Sequence, residues 1–235
     1  MLAIYKRELR SFFHGMMGYL LTAFLLAASG IYFLALNLGY GLTDFGYYTL
    51  YRTIFMLLLY FPVLAMRSLA EERRARTDQL LLTAPVRLYE IVIGKFRAAF
   101  SVYCAGMCST VLEAFVLSFF CDFDWAVFWS SFIGIILLGG ASIAVCMFVS
   151  SMTENQIIAA VVGFVTMLLL SMLDAFSSLF SSAALQNVML KLSFYVRYFN
   201  LTLGVLDFSD IFFFLSVTGV FLFLTTRVSD RRRWS

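Results

Sequence analysis

Six long apolar runs, separated by short polar segments, dominate the pattern of this chain. A helix needs roughly 20 mostly apolar residues to cross a bilayer, so each run is a candidate spanning helix. Alternating apolar and polar strands, which a membrane barrel would require, are absent from the pattern. We therefore predict an all-α polytopic membrane protein with six transmembrane helices, at Met17–Leu38, Tyr51–Ala70, Ile91–Phe120, Val127–Met152, Ile157–Phe176 and Ile211–Arg227.

The residues before the first run have the pattern of an amphipathic helix. Apolar side chains share one helical face and basic side chains fall mostly on the other: Leu2, Tyr5, Leu9, Phe12 and Phe13 against Lys6, Arg7 and Arg10. Such a helix lies along the membrane interface, with its basic face toward anionic headgroups. It is either a simple membrane anchor or an elbow helix that leads a transporter into its first span. The apolar run that follows is long for a cleaved signal peptide, so we expect a retained first helix.

The composition agrees with a membrane protein of one domain. The 235 residues are 62% hydrophobic and only 13% charged, and the mean hydropathy is +0.91. Soluble domains contain roughly 45–50% apolar and about 25% charged residues. The apolar excess extends over the whole chain and no linker-like run interrupts it. We therefore treat residues 1–235 as a single membrane domain without a soluble part large enough to hold a catalytic core.

The basic residues divide unequally between the two sides of the membrane. With six spans both termini share a side, and the opposite side receives only Arg52, Lys191 and Arg197 out of 17 basic residues. The positive-inside rule then places both termini in the cytoplasm of a prokaryotic cell, with the chain in the inner (plasma) membrane. The net charge of +3 is explained by this topology, and we expect no nucleic-acid partner.

No catalytic constellation is visible in the sequence. The stretch "EERRAR", residues 71–76, matches the E-E-x-x-x-R signature of intramembrane CAAX-type proteases. That chemistry also needs histidines beside the glutamates, and His14 is the single histidine. Gly94-Lys95 lacks the upstream glycine of a phosphate-binding loop, so we expect no ATP hydrolysis by this chain. The four cysteines lie far from His14 along the chain, and we expect neither a metal nor a cofactor.

A polar segment between the second and third runs, "EERRARTDQLLLTAPVRLYEIVIGKF" (71–96), has the pattern of a short cytoplasmic helix. Thr77 or Asp78 can cap this helix, and Pro85 ends it. Its apolar part consists of three consecutive leucines, Leu80, Leu81 and Leu82. Leucines on such a turn suit a groove on a soluble partner. The pattern alone fits an interfacial loop, pinned to the membrane by its leucines, equally well.

This segment resembles the first intracellular loop of ABC-2-type exporter permeases. Two more stretches resemble the same family: "FVSSMTENQIIAAVVGF" (148–164) its loop between spans four and five, and "GVLDFSDIFFFLSVTGVFLFLTTRVSDRRRW" (204–234) its last span and basic tail. The likeness covers most of the chain, in order, and is greatest to the gliding-motility and nitrous-oxide-reductase accessory permeases. The chain departs from the family pattern at Ala75-Arg76, where many relatives have a glycine, and at Gln79, where a glutamate is common.

The resemblance implies the permease subunit of an ATP-binding-cassette exporter. Six-helix subunits of this kind pair into a pore, so we expect a second permease, either identical or homologous. Each permease docks on a separate ATPase subunit, which binds the ATP and Mg, and an extracytoplasmic accessory subunit is a further expected partner. The alternative is an ATP-independent secondary transporter or channel, which would couple through charges inside the membrane.

The resemblance also assigns roles to residues at the cytoplasmic side. Leu80, Leu81 and Leu82 would fill a groove on the ATPase, next to Thr77 and Pro85. The charged residues before them would pair with the rim of that groove: Glu71, Glu72, Arg73 and Arg74. The loop 150–156 would make a second, smaller contact with Thr153, Glu154 and Asn155. Thr153 and Asn155 can also cap the fifth helix.

Two acidic residues, Glu113 and Asp174, lie near the outer ends of predicted spans. Ionisation there is costly unless the carboxylate is paired or hydrated. They either line an outer vestibule or pair with Arg52 or Arg197 as structural partners, or they reach the water of the headgroup layer. They are also the intramembrane charges that a secondary transporter could use.

The segment 177–207, before the last run, is too polar to span and has the period of an amphipathic helix. Its apolar face must be covered either by lipid or by the tops of the spans. If lipid covers this face, the helix lies passively on the membrane. If the tops of the spans cover it, the helix is an outer gate formed with Met189 and Leu192. The resemblance favours the gate. The predicted faces are Leu185, Val188, Met189, Leu192, Tyr195, Val196 and Phe199 against Gln186, Asn187, Lys191, Arg197 and Asn200.

Overall fold

The computed structural model describes residues 2–74, 88–177 and 183–233, with the backbone alone at 2–3, 68–74, 183–184 and 231–233. All regular structure in these ranges is helical. Five helices are long and apolar enough to cross a membrane: Met16–Leu38, Gly46–Arg67, Leu88–Leu117, Trp125–Met152 and Phe208–Asp230. The protein is therefore a helical multi-pass membrane protein, and five of the six predicted runs form long helices close to their predicted bounds.

Four α-helices are described in the N-terminal half: α1 (Leu2–His14), α2 (Met16–Tyr32), α3 (Arg52–Arg74) and α4 (Leu88–Leu117). Wider π-helical turns extend two of them, at Phe33–Leu38 after α2 and at Gly46–Tyr51 before α3. Asn37 joins the two π-helical turns, because its side chain accepts a hydrogen bond from Thr49 Oγ1 and donates one to the Leu42 carbonyl at 2.7 Å.

Six more are described in the C-terminal half: α5 (Trp125–Met152), α6 (Gln156–Ser171), α7 (Leu173–Ser177), α8 (Ala183–Leu192), α9 (Phe194–Thr202) and α10 (Phe208–Arg233). The longest apolar run becomes α5, which Asp124 caps by accepting hydrogen bonds from the amides of Ala126 and Val127. Such a cap satisfies amides that have no partner within the helix.

Helix α5 lies at the centre of the bundle and packs against α3, α4, α6, α9 and α10. Its residues from 138 to 147 are all buried. Gly139 lets the ring of Tyr103 on α4 lie directly on the α5 backbone, where a Cβ would overlap the ring. The Tyr103 hydroxyl donates to the Ile135 carbonyl at 2.8 Å, so this close contact also satisfies a buried polar group.

The predicted fifth span, Ile157–Phe176, is interrupted in the structure. Helix α6 has 16 residues, and at a rise of 1.5 Å per residue it is about 24 Å long. This length is less than the roughly 30 Å of the hydrocarbon core. Met172, with φ −100° and ψ 11°, departs from helical geometry, and the short helix α7 follows. Hydropathy alone does not reveal this break, because apolar residues continue through it.

The segment 177–207 contains two described helices where we predicted one. Ser193 separates α8 from α9 and caps α9, since its hydroxyl accepts a hydrogen bond from the Val196 amide. The break changes the helical phase. The buried side of α9 therefore consists of Phe194, Tyr198, Leu201 and Thr202, whereas the prediction placed Tyr195, Val196 and Phe199 on the apolar face.

Candidate functional site

The candidate coupling segment joins the end of α3 to the start of α4. Glu71, Glu72, Arg73 and Arg74 form the last turn of α3, where the structure describes the backbone. Five further residues predicted for this site lie outside the described residues: Thr77, Leu80, Leu81, Leu82 and Pro85. The described geometry of the site is therefore that of the two helices that lead into it and of the elements that hold them.

Helix α1 packs along the first turns of α4. Ile4 lies against Gly94, where a Cβ would be 3.0 Å from Ile4 Cγ2. The hydroxyls of Tyr5 and Ser101 are 3.1 Å apart, and Lys95 Nζ lies 3.4 Å from Glu8 Oε1. Lys95 is only 2% exposed, so the carboxylate of Glu8 compensates a buried charge.

The other end of α1 is held by α3. The Arg67 guanidinium donates to the Ser11 carbonyl at 3.3 Å and lies 5.5 Å from the centre of the Phe12 ring. A cation at a helix C-terminus interacts favourably with the partial negative charge of the free carbonyls. Helix α1 therefore contacts both helices that flank the coupling segment. The amphipathic helix was predicted correctly, but its apolar face is covered by the protein itself.

The second predicted contact loop lies between α5 and α6. Asn155 caps α6 as predicted, since its side-chain oxygen accepts from the Ile157 amide at 2.9 Å. The same role predicted for Thr153 is wrong, because Thr153 is the C-cap of α5 and Asn155 is the N-cap of α6. Glu154 is exposed beside Asn155.

At the opposite end of the bundle, α9 is fixed to the start of α5. Ser130 donates to the Leu201 carbonyl at 2.8 Å, and the Tyr198 hydroxyl donates to the Ser131 carbonyl at 3.4 Å. Complete burial raises the pKa of Tyr198 well above its usual range, so this hydroxyl stays neutral and keeps its proton for that bond. Gly134 gives both large side chains room to approach the α5 backbone.

A buried ion pair joins α9 to α10. Arg197 Nη1 lies 2.6 Å from Asp210 Oδ1, and the guanidinium is 4.1 Å from the centre of the Phe213 ring. Arg197 also donates through Nε to the Lys191 carbonyl, close to the end of α8. One side chain thus holds three helices together. The prediction placed Arg197 on a polar helical face and named it as a partner for Glu113 or Asp174, but its described acidic partner is Asp210.

Glu113 instead contacts α2. Its Oε1 accepts a hydrogen bond from Ser29 at 2.7 Å, and its Oε2 is buried without a hydrogen-bond partner among the described residues. Asp174 is half-buried in the first turn of α7, and electrostatically it interacts with Tyr51. Arg52 is exposed and lies over the ring of Tyr47. The two acids therefore occupy separate places and do not form one charged cluster.

Met189 and Leu192, the predicted gate residues, lie on α8. Leu192 is 49% exposed, Met189 is half-buried, and the neighbouring Leu185 and Val188 are exposed as well. The apolar side of α8 is thus largely open, whereas α9 is tightly packed. Among the described residues, no group of three or more His, Cys, Asp or Glu could hold a metal ion.

A comparison with protein-family models matches residues 25–227 to the family described as "ABC-2 family transporter protein". The chain belongs to the ABC-2 transporter family. This ABC-2 protein is accordingly a membrane component of an ABC transporter, and the match covers all five long apolar helices except parts of the first and last. A search of curated proteins finds no match.

Two features of this ABC-2 protein were missed by the sequence reasoning. Lys95 interrupts an apolar run and Glu8 interrupts a basic helix, so each was a visible exception to its surroundings. Arg197 and Asp210 are 13 residues apart on either side of a polar turn. Oppositely charged residues in otherwise apolar surroundings were the available signal, but their pairing depends on how the helices pack.

Proposed function

We propose that this protein is the permease subunit of an ABC exporter and forms half of the translocation pathway. It couples to a separate ATPase subunit, which binds ATP and Mg, through the cytoplasmic segment 71–90. The family match supports the transporter component of this proposal. The observation that carries the coupling component is the position of α1, which contacts α3 through Arg67 and α4 through Lys95.

This arrangement supports coupling for a mechanical reason. A force on a connecting segment is lost in local motion unless the helices that bear the segment move as a unit. Helix α1 bridges α3 and α4 through a buried charge pair and packed side chains, and packed interfaces resist gradual deformation. A displacement of the segment 71–90 is therefore transmitted to α1, α3 and α4 together.

We assign six membrane crossings to the protein, with both termini and the loops 71–90 and 150–156 in the cytoplasm. Helices α6 and α7 together form the crossing that is not continuous. Residues 156–177 would extend about 33 Å as a helix, enough for the hydrocarbon core. The unequal distribution of Lys and Arg supports this orientation in a prokaryotic inner membrane.

The complete pore requires a second permease, either an identical chain or a homologue. The gliding-motility and nitrous-oxide-reductase accessory permeases are the branch that the sequence resembles, and an extracytoplasmic accessory subunit completes the assembly. At the outer end we assign a gate to Met189 and Leu192 on α8, and the vestibule beneath it to Glu113 and Asp174. The fixed position of α9, held to α10 by Arg197, provides a rigid base for that gate.

Purification of the tagged protein from native membranes tests the proposal. We expect an ATPase subunit with a phosphate-binding loop to be recovered with it in near-stoichiometric amount. Mutation of that loop in the ATPase should abolish transport without separating the complex. Recovery without any ATPase, together with transport that persists after ATP depletion, would instead support the secondary transporter.

A further inference from the structure

The apolar face of the amphipathic helix α1 packs against the protein core, where Tyr5, Leu9 and Phe13 are half-buried. Phe12 is only 4% exposed, and Ile4 is packed on Gly94 of α4. An interfacial helix normally inserts this face between the lipid headgroups and the acyl chains. Since the protein occupies the apolar face of α1, contact with the membrane falls to the opposite, charged side of the helix.

The charges of α1 divide into two groups. Glu8 faces the protein, where its Oε1 is shared between Lys95 at 3.4 Å and Arg7 at 2.8 Å. Lys6 and Arg10 are exposed on the other side. Within the described ranges, neither of these two cations forms an ion pair with another residue.

A third exposed cation lies beside them on α4. Arg97 is one helical turn before Ser101, whose hydroxyl donates to the Arg97 carbonyl and is 3.1 Å from the Tyr5 hydroxyl. Lys6 directly follows Tyr5 in α1. Arg97 therefore lies on α4 near the contact with α1, and Lys6 follows the contacting residue Tyr5 on α1.

We propose that Lys6, Arg10 and Arg97 form a binding surface for the headgroups of anionic phospholipids. The charge of the surface is complementary to a lipid phosphate, and such cations strengthen binding to an anionic bilayer by about fivefold each. Exposed apolar side chains at the start of α2 lie next to it in the chain: Met16 (88%), Tyr19 (61%) and Leu20 (60%). A partner with a charged head and apolar tails fits this combination, whereas a soluble acidic protein would leave the apolar side chains uncovered.

The consequence is that lipid composition affects how firmly α1, which bridges α3 and α4, is held against α4. A headgroup bound by Arg97 of α4 and by Lys6 and Arg10 of α1 holds the two helices together from the membrane side. This inference does not depend on an ATPase partner, because it concerns the isolated membrane protein.

Native mass spectrometry of the protein released from nanodiscs tests this surface directly. Nanodiscs of equimolar phosphatidylglycerol and phosphatidylcholine present both headgroups with the same acyl chains. We expect the parent protein to retain phosphatidylglycerol several-fold over phosphatidylcholine. The triple variant Lys6→Gln, Arg10→Gln, Arg97→Gln should reduce this ratio toward one, and the single variant Arg97→Gln should reduce it by about fivefold at most. Lys191→Gln, which removes an exposed charge at the other end of the bundle, is the matched control and should leave the ratio unchanged.

Two results would overturn the inference. The first is a parent protein that retains both lipids equally. The second is a triple variant that keeps the preference, particularly if it also loses a soluble subunit from the native complex, because the surface would then bind an acidic protein. If the triple variant does not fold, the single variants decide by the same ratio.

Discussion

Glu8 lies 3.4 Å from Lys95 and joins the N-terminal amphipathic helix α1 to α4. Lys95 is 2% exposed and the Glu8 side chain 13%, so the pair is shielded from water. Neutralising Glu8 weakens the compensation of the buried Lys95 charge, whereas removal of both partners leaves no such charge to compensate. This pair therefore permits a direct test of whether α1 is part of the folded bundle.

We predict that Glu8→Gln lowers the free energy of unfolding by about 1–3 kcal/mol and that the loss is not additive with Lys95→Met. Thermal unfolding of the two single variants and the double variant in detergent gives the coupling energy. Glu154→Gln, which neutralises an exposed acid elsewhere, serves as control. Purely additive effects would show that α1 is attached by its apolar side chains alone.

The pair Arg197–Asp210 predicts an asymmetric result. Arg197→Met leaves the carboxylate of Asp210, only 4% exposed, without its cation and should cost about 2–4 kcal/mol. Asp210→Asn should cost less, because Arg197 is 14% exposed and still donates to the Lys191 carbonyl. Hydrogen exchange over residues 183–202 should rise more in Arg197→Met. The control Arg52→Met removes an exposed guanidinium. If hydrogen exchange over residues 183–202 is equal in Arg52→Met and Arg197→Met, the proposal that Arg197 fixes α8 and α9 is contradicted.

Glycines 139 and 219 give a matched pair for the packing of the core. A Cβ at Gly139 would overlap the ring of Tyr103, whereas a Cβ at Gly219 meets no atom within 4 Å. We predict that Gly139→Ala destabilises the protein by about 1–3 kcal/mol. Gly219→Ala should be neutral or stabilise α10 by up to about 1 kcal/mol, because alanine is the better helix former. Equal melting temperatures for the two variants would show that α4 and α5 are packed differently.

The fold could largely be predicted from the sequence because membrane helices are set by long apolar runs. The bounds of α2, α4, α5 and α10 follow directly from that pattern. The breaks at Met172 and Ser193 were not predicted, since each is a local change of backbone direction inside a segment whose apolar pattern continues past it. The pairs Glu8–Lys95 and Arg197–Asp210 were also not predicted, because a single sequence specifies neither which helices pack together nor their rotation. The leucines of the coupling segment were assigned by family resemblance and remain a prediction.

The proposed outer gate is tested on α8. We predict that Met189→Asp and Leu192→Asp make the closed state leak small ions or raise the basal ATP turnover of the assembled transporter. A carboxylate on the apolar side of α8 resists burial against the tops of the spans. Asn187→Asp adds the same charge at an exposed position of the same helix and should have little effect. If all three variants assemble, transport and hydrolyse ATP like the parent, α8 only lies passively on the membrane and is not a gate.

The central claim, that the segment 71–90 connects this permease to an ATPase, is tested most directly by Leu81→Asp. The tagged variant is purified from native membranes and the amount of ATPase recovered per permease is compared with that of the parent. A carboxylate placed in an apolar groove costs a few kcal/mol, so we predict at least a tenfold loss of ATPase at normal permease abundance. Leu203→Asp, at an exposed leucine beyond α9, should retain the ATPase. Full recovery of ATPase with Leu81→Asp, and substrate-stimulated hydrolysis equal to that of the parent, would contradict the account.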